Sequence, residues 1–300
     1  MSKKFFLTAT LVFRDEKIYL KEWLDYHILN GVQHFYLYDN RSKDNPKEIL
    51  DWYFEQGLIT YIFLDKDLNR QSLVAPHRNE NIERGMGVAE WMLFTDIDEF
   101  VCLKDLDSNL HSEIRKLDDF SAIAIRSINY GSNYNKYYKD DLVISRFTRR
   151  EKLPTSYKSL VRPESVAGAK NGHAFHITDH KTYGHTVSVN KKMINLNDIS
   201  WVKKGRHIKN DAFYINHYIS KSQEEFYSLK FKNNIGMEKI KGKFLRLNGP
   251  HSCNEIIARK ILFFEDYLRN DFVQLHYDKI KNYYMYDNDI GISKFLKNVK

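Results

Sequence analysis

Two cysteines in 300 residues cannot build a disulfide framework, and Cys102 and Cys253 form no Cys-x-x-Cys pair. This fits a reducing compartment and argues against a thiolate zinc site. No apolar stretch approaches the roughly 18–20 residues that span a bilayer. Internal repeats and low-complexity linkers are missing too, which favours one sizeable domain with an elaboration over an array or a tethered pair. The apolar run Phe5–Phe13 follows Lys3-Lys4 and superficially resembles a secretion signal. It ends in Arg14-Asp15-Glu16 where a small-residue cleavage site belongs. It is therefore read as a first buried strand, and the protein is expected to be intracellular.

What is present is a globular composition, 42% hydrophobic and 29% charged. The formal net charge of +8 is uneven, because residues 201–300 alone hold 19 Lys and Arg against 11 Asp and Glu. A neutral body with a basic last third suits an anionic partner: a membrane surface, an acidic glycan or nucleic acid. A solvated basic face is the plainer alternative.

The first hundred residues alternate strand and helix patterns. Strands are expected at Phe5–Phe13, Val32–Tyr38, Leu58–Leu64 and Trp91–Thr95. Helices are expected at Ile18–Leu29, stopped by Asn30-Gly31, from Pro46 to Gln56, and over residues 77–88. Such alternation predicts an α/β fold with a mostly parallel sheet, whose ligands sit beyond the carboxyl ends of the strands. Further short strands are expected at Ser121–Ser127, Leu142–Thr148, Tyr157–Arg162, His173–Ile177, Thr186–Val189 and Phe213–Ile219. A helix is expected over Gln223–Lys232, with amphipathic helices within 254–285. The domain reading is a catalytic unit over 1–232 and a basic helical extension over 233–300.

The segment Trp91–Phe100 ends an apolar strand in Asp96-Ile97-Asp98-Glu99. Carboxylates spaced i, i+2 on a strand share a side, so Asp96 and Asp98 could converge on a hard divalent cation that also takes phosphate oxygens. Glu99 would face the other way. An acidic turn closing a buried strand is the bland alternative. His217, at a strand end, could add an imidazole ligand, and Lys221 could meet a phosphate as a point charge. Ser222-x-x-Glu225 has the pattern of a capping box. Asp39-Asn40 with Ser42 suits either ribose hydroxyls or an Asx turn. Arg126, Gly131-Ser132-Asn133, Arg146, Arg149-Arg150, Lys158 and Arg162 form a basic stretch among tyrosines that could receive sugars or simply face solvent. His173, His176, His180 and His185 lack the helix a zinc pair would need.

Several segments, in order, resemble glycosyltransferase family 92: Phe13–Glu16 with Tyr19–His27, Gly31–Ser42, Asp96–Phe100, Arg146–Thr148, Lys158–Pro163, and His217-Tyr218 with Lys221–Phe226. The resemblance covers roughly residues 5–232. It implies a GT-A type nucleotide-diphospho-sugar transferase fold, a Mn²⁺ or Mg²⁺ ion, a UDP-sugar donor and transfer with inversion. Asp96, Asp98 and His217 would be the metal ligands, and Asp39, Arg14, Asp96 and Lys221 the donor contacts. Relative to the family pattern, Arg14-Asp15-Glu16 replaces Lys-Asn-Glu, and Tyr130-Gly131-Ser132 replaces Phe-Gly-Ser. An inverting transferase needs a general base; Glu225 and Glu224 are the candidates here, with Asp140, Asp141 and Asp179 behind them.

The expected protein is thus a cytoplasmic, metal-dependent hexosyltransferase of surface-polysaccharide biosynthesis. Its hexose, galactose being one choice, would pass to a glycan or lipid-linked oligosaccharide acceptor. Residues 201–300 would touch an anionic membrane, and no nucleic acid is expected. Two rivals remain: a nucleic-acid-binding protein using the basic last third, and a metal-dependent phosphohydrolase using Asp96, Asp98 and His217.

Overall fold

The structure, a computed structural model, describes residues 2–65, 79–105, 108–150, 154, 156–169, 173–178, 186–189, 191, 193–194, 211–226 and 268–269. Its first four strands are β1 (Phe5–Phe13), β2 (His34–Asp39), β3 (Ile59–Phe63) and β4 (Ala89–Phe94). All are parallel, in the spatial order β3-β2-β1-β4. Thr10 of β1, for example, lies beside Tyr36 of β2 on one side and Phe94 of β4 on the other. Helices α1 (Lys17–Leu29) and α2 (Lys47–Glu55) and a helical segment over 79–85 carry the chain between these strands. Parallel neighbours need such crossovers, and the crossovers cover the sheet: every position of β2 is buried.

Alternation along β2 divides the interior. Phe35 and Leu37 join Trp23, Trp91, Leu93, Ile125 and Leu160 in one core. Tyr36 and Tyr38 join Met92, Phe94, Val161 and Phe175 in the other. Each such side chain, taken fully from water, contributes about 2 kcal/mol before conformational entropy is subtracted. Helix α1 lies almost entirely within the first core and stops where expected. Gly31 takes φ +101°, and the Val32 amide returns to the His27 carbonyl at 2.9 Å.

Beyond β4 the sheet becomes mixed. The chain continues through β5 (Glu99–Leu103), α3 (Leu110–Arg115, boxed by Asn109 and Ser112) and β6 (Ala122–Asn129). Next come a helical turn Val143–Arg146, β7 (Arg149–Arg150), β8 (Ser156–Val161), β9 (Val166–Ala169) and β10 (Phe175–Ile177). Last are β11 (Thr186–Ser188), β12 (Met193–Ile194), β13 (Phe213–His217) and β14 (Leu268–Arg269). Strand β8 runs antiparallel between β4 and β6. Strand β13 pairs parallel with β6 and antiparallel with β5. Ten strands form this one sheet among the described residues.

The α/β class with a parallel first half is as expected. Three local readings differ. Leu142–Thr148 contains a turn of helix, because the Glu22 carboxylate accepts from the Val143 and Ile144 amides at 2.8 and 3.2 Å and caps it. Strand β13 ends at His217, where the Tyr218 amide turns to the Asp98 carbonyl at 2.7 Å. Strand β5 was not expected at all. Most of Gln223–Lys232, the helices within 254–285 and the extension 233–300 lie outside the described residues, apart from Gln223–Phe226 and the pair 268–269. No helix of the described residues is long and apolar enough to cross a membrane.

Candidate active site

Strands β1, β2 and β4 are parallel. Strand β6 runs the same way because β8 is antiparallel to both β4 and β6, and β13 follows β6. Asp39 at the end of β2, the turn after β4 and His217 at the end of β13 therefore share one edge of the sheet.

The Asp-x-Asp lies in the turn between β4 and β5, so the same-side rule for strands does not govern it. Asp96, partly exposed, bonds the buried Lys158 ammonium at 2.6 Å. Asp98 is buried and faces the imidazole instead, with its Oδ1 3.4 Å from His217 Nε2. Glu99 opens β5 directly opposite His217 in the register. It is fully buried; its Oε2 accepts from the Asp96 amide at 3.0 Å and stands 3.1 Å from Lys158 Nζ. Its Oε1 lies 3.8 Å from His217 Nδ1, and both atoms are buried without a hydrogen-bond partner among the described residues.

This donor set fits a divalent cation in part. The 3.4 Å separation of Asp98 Oδ1 and His217 Nε2 is long for a hydrogen bond. It is close to the roughly 3 Å expected between two adjacent ligands of an ion with 2.1 Å bonds. A carboxylate behind the far nitrogen is how a ligating imidazole is usually oriented, and Glu99 Oε1 occupies that place. Asp96 does not join the pair, since its carboxylate is turned to Lys158. Among the described residues no three His, Cys, Asp or Glu side chains form a metal cage.

Asp39 is buried with both oxygens occupied. Oδ1 accepts from the Ser42 amide at 2.7 Å, the Asx-turn contact, and Oδ2 accepts from the Tyr61 hydroxyl at 2.6 Å. The neighbouring loop is knitted to it, because the Ser42 hydroxyl accepts from the Asp15 amide at 3.0 Å. Arg14 lies beside Asp15, with its Nε 3.9 Å from Asp15 Oδ2.

Glu225 stands in a buried ion pair with Arg146, its oxygens 2.8 and 2.9 Å from the guanidinium. It also accepts from the Tyr19 hydroxyl at 2.7 Å and the Ser222 amide at 3.0 Å, while the Glu225 amide returns to Ser222 Oγ at 3.2 Å. The capping box is therefore real. Burial raises the Glu225 pKa, but the Arg146 and Ser222 contacts outweigh it and hold the carboxyl below its usual value. Lys221, also buried, lies over the Tyr19 ring at 4.2 Å with φ +50°. Glu224 is exposed, and its Oε2 accepts from the Tyr138 amide at 2.8 Å.

Most of the basic stretch is used internally. Arg126 is ion-paired with buried Asp211. Arg162 lies over Trp91 at 4.2 Å and bonds Asp118. His173 Nδ1 contacts the Tyr157 carbonyl at 2.8 Å, while His180 and His185 fall outside the described residues. Glu99, expected to face the other way and support the loop or a base, does bond the loop at the Asp96 amide but faces Lys158 and His217, because it opens β5 opposite His217; the role of Lys158 was not read from the sequence. An apolar strand placing one lysine opposite an acidic turn was the available signal, but it needed the β4–β8 pairing to become legible.

The family model described as Glycosyltransferase family 92 matches residues 7–241. A family 92 protein of Ricinus communis is 25% identical over 196 residues, covering 61% of this chain and 33% of its own length. One of Oryza sativa subsp. japonica is 26% identical over 192 residues, covering 61% and 31%. The chain thus spans about a third of the length of these curated relatives. Among solved structures, S. aureus TarS in complex with UDP is 14% identical with a TM-score of 0.35, over 53% of this chain and 47% of that one. Glucosyl-3-phosphoglycerate synthase of Mycobacterium tuberculosis, in complex with Mn²⁺, UDP and glucosyl-3-phosphoglycerate, is 13% identical with a TM-score of 0.28, over 54% and 58%. Structural likeness at that level is distant, and the assignment rests on the sequence match over most of the chain: the protein belongs to glycosyltransferase family 92.

Proposed function

We propose that this glycosyltransferase moves a hexose from a UDP-sugar, with a divalent cation and with inversion, to a hydroxyl of a glycan or glycolipid acceptor. The observation that carries the reading is the meeting of Asp98 and His217 at 3.4 Å on the ligand-binding edge of the sheet. Glu99 stands behind the imidazole, and Asp39 lies on the same edge. A Mn²⁺ or Mg²⁺ ion would be held by Asp98 and His217, and would supply positive charge to a departing diphosphate. Asp39, held by Ser42 and Tyr61, would present a fixed carboxylate to the ribose or base. Lys158 keeps Asp96 beside that site. Of the two candidate bases, Glu224 suits the acceptor side, because Glu225 is committed to Arg146, Tyr19 and Ser222. The acceptor hydroxyl would lose its proton to Glu224 as its oxygen attacks the anomeric carbon and the bond to the diphosphate breaks.

Titration calorimetry of UDP with and without Mn²⁺, on wild type and Asp98→Ala, tests this. UDP should bind only with the metal, and the variant should bind at least about tenfold more weakly, as loss of a charged ligand predicts. UDP binding that ignores both metal and mutation would sink the proposal.

A further inference from the structure

The loop between β6 and the helical turn Val143–Arg146 holds aromatic side chains outward. Tyr134 is 57% exposed, Tyr137 72% and Tyr138 38%. It does so from a tight turn with two left-handed residues. Asn133 and Tyr134 take φ +48° and +63° in succession. Asparagine enters that left-handed region readily, whereas a bulky aromatic residue there is an outlier. The conformation is held by a bond within the turn and by bonds to the segment Arg146–Arg149. The Asn133 side chain donates to Thr148 Oγ1 at 3.0 Å and accepts from the Arg149 amide at 2.8 Å. The Asn135 amide reaches the Ser132 carbonyl at 2.8 Å, and its side chain reaches the Arg146 carbonyl at 3.2 Å. Four hydrogen bonds thus keep a tyrosine strained and its ring wet, which is the pattern of a surface kept for a ligand.

The loop is also tied to the candidate active site. The Tyr130 amide donates to the His217 carbonyl at 2.8 Å. The Glu224 amide donates to the Lys136 carbonyl at 3.0 Å, and Glu224 Oε2 accepts from the Tyr138 amide. The loop therefore starts at the same edge as Asp98 and His217, and its backbone is bonded to the turn carrying Glu224. The Arg149 guanidinium lies 5.4 Å from the Tyr134 ring centre, and its Nε is buried with no hydrogen-bond partner among the described residues.

We propose that Tyr134 and Tyr137 form the acceptor platform of this enzyme, stacking on the C–H faces of pyranose rings in a glycan while Arg149 donates to its hydroxyls. An aromatic ring gives a sugar its apolar contact at low entropic cost, and a neighbouring guanidinium supplies the directional bond. A glycan is favoured over a protein partner because the loop is fixed in a left-handed turn and hydrogen-bonded to the turn that carries the proposed base. The proposal rests on the transferase reading above.

The experiment applies the full chain with UDP and Mn²⁺ to a printed glycan array over a range of protein concentrations, and measures UDP binding by calorimetry in parallel. The variants are Tyr134→Asn with Tyr137→Ala, where asparagine tolerates the left-handed backbone, and Tyr134→Phe with Tyr137→Phe, which keeps the rings. Wild type should retain a defined set of glycans. The ring-deleted variant should bind them about tenfold or more weakly with UDP affinity unchanged, as truncation of aromatic anchors does elsewhere, and the phenylalanine variant should keep them. Equal glycan binding by the ring-deleted chain overturns the platform, as does a wild type that binds UDP and Mn²⁺ but no glycan. A wild type that fails to bind UDP removes the donor reading itself, and the platform with it.

Discussion

At the scale of single residues, Glu22 is the most consequential group outside the site. Burial pushes its pKa from 4.5 up to about 7, against the opposing Val143 and Ile144 amides, Arg146 and Lys221. The folded chain then holds a proton that the unfolded chain releases between about pH 4.5 and pH 7, so stability should fall as pH rises through that window and level off above it. The full effect is on the order of 3 kcal/mol. Urea unfolding between about pH 5 and pH 8 should show this slope in wild type and a much flatter one in Glu22→Gln. Parallel curves for the two chains would contradict it. Such a residue is hard to read beforehand. Glu22 sits in a helix whose pattern is plain, but the amides it caps come from a turn far along the chain. For the same reason Asp98 and His217 were legible as donors from their residue types and strand ends, while the Lys158 contacts to Asp96 and Glu99 were not.

At the scale of elements, the turn Ser222–Phe226 separates two adjacent glutamates into different roles. Glu225 closes the capping box and neutralises Arg146 in a buried pair. Removing one partner of such a pair leaves an uncompensated charge and costs about 3–5 kcal/mol. Glu225→Ala should therefore lower the thermal midpoint by many degrees, whereas Glu224→Ala, on an exposed side chain, should move stability by less than about 1 kcal/mol. Comparable losses in both chains would refute the division. The box itself was visible as Ser-x-x-Glu because its contacts are local. The Arg146 partnership was not, and Leu142–Thr148 looked like a strand because β-branched and apolar residues dominate it. Strands β1–β4 and helices α1 and α2 were legible for the converse reason: alternation, stop signals and Gly31 act within a few residues of where they appear.

At the scale of the whole molecule, the charge excess of residues 201–300 is proposed to hold the enzyme near an anionic membrane, where lipid-linked acceptors would sit. Binding to vesicles rich in anionic lipid should exceed binding to neutral vesicles and should fade as salt shortens the screening length below about 10 Å. Equal binding to both would end that idea. The sheet carries another consequence. Strand β13, which delivers His217, fits between β5 and β6, two strands made long before it in the chain. The β5–β13–β6 part of the sheet is thus completed by non-local pairing, the slow kind in folding because a long loop must close before any contact rewards it. A nascent chain still lacking residue 213 carries two open strand edges of buried, apolar sequence, the type that pairs wrongly with other chains. The strand that supplies the imidazole also covers those edges, so the segment that completes the donor site is the same one that closes the gap between β5 and β6.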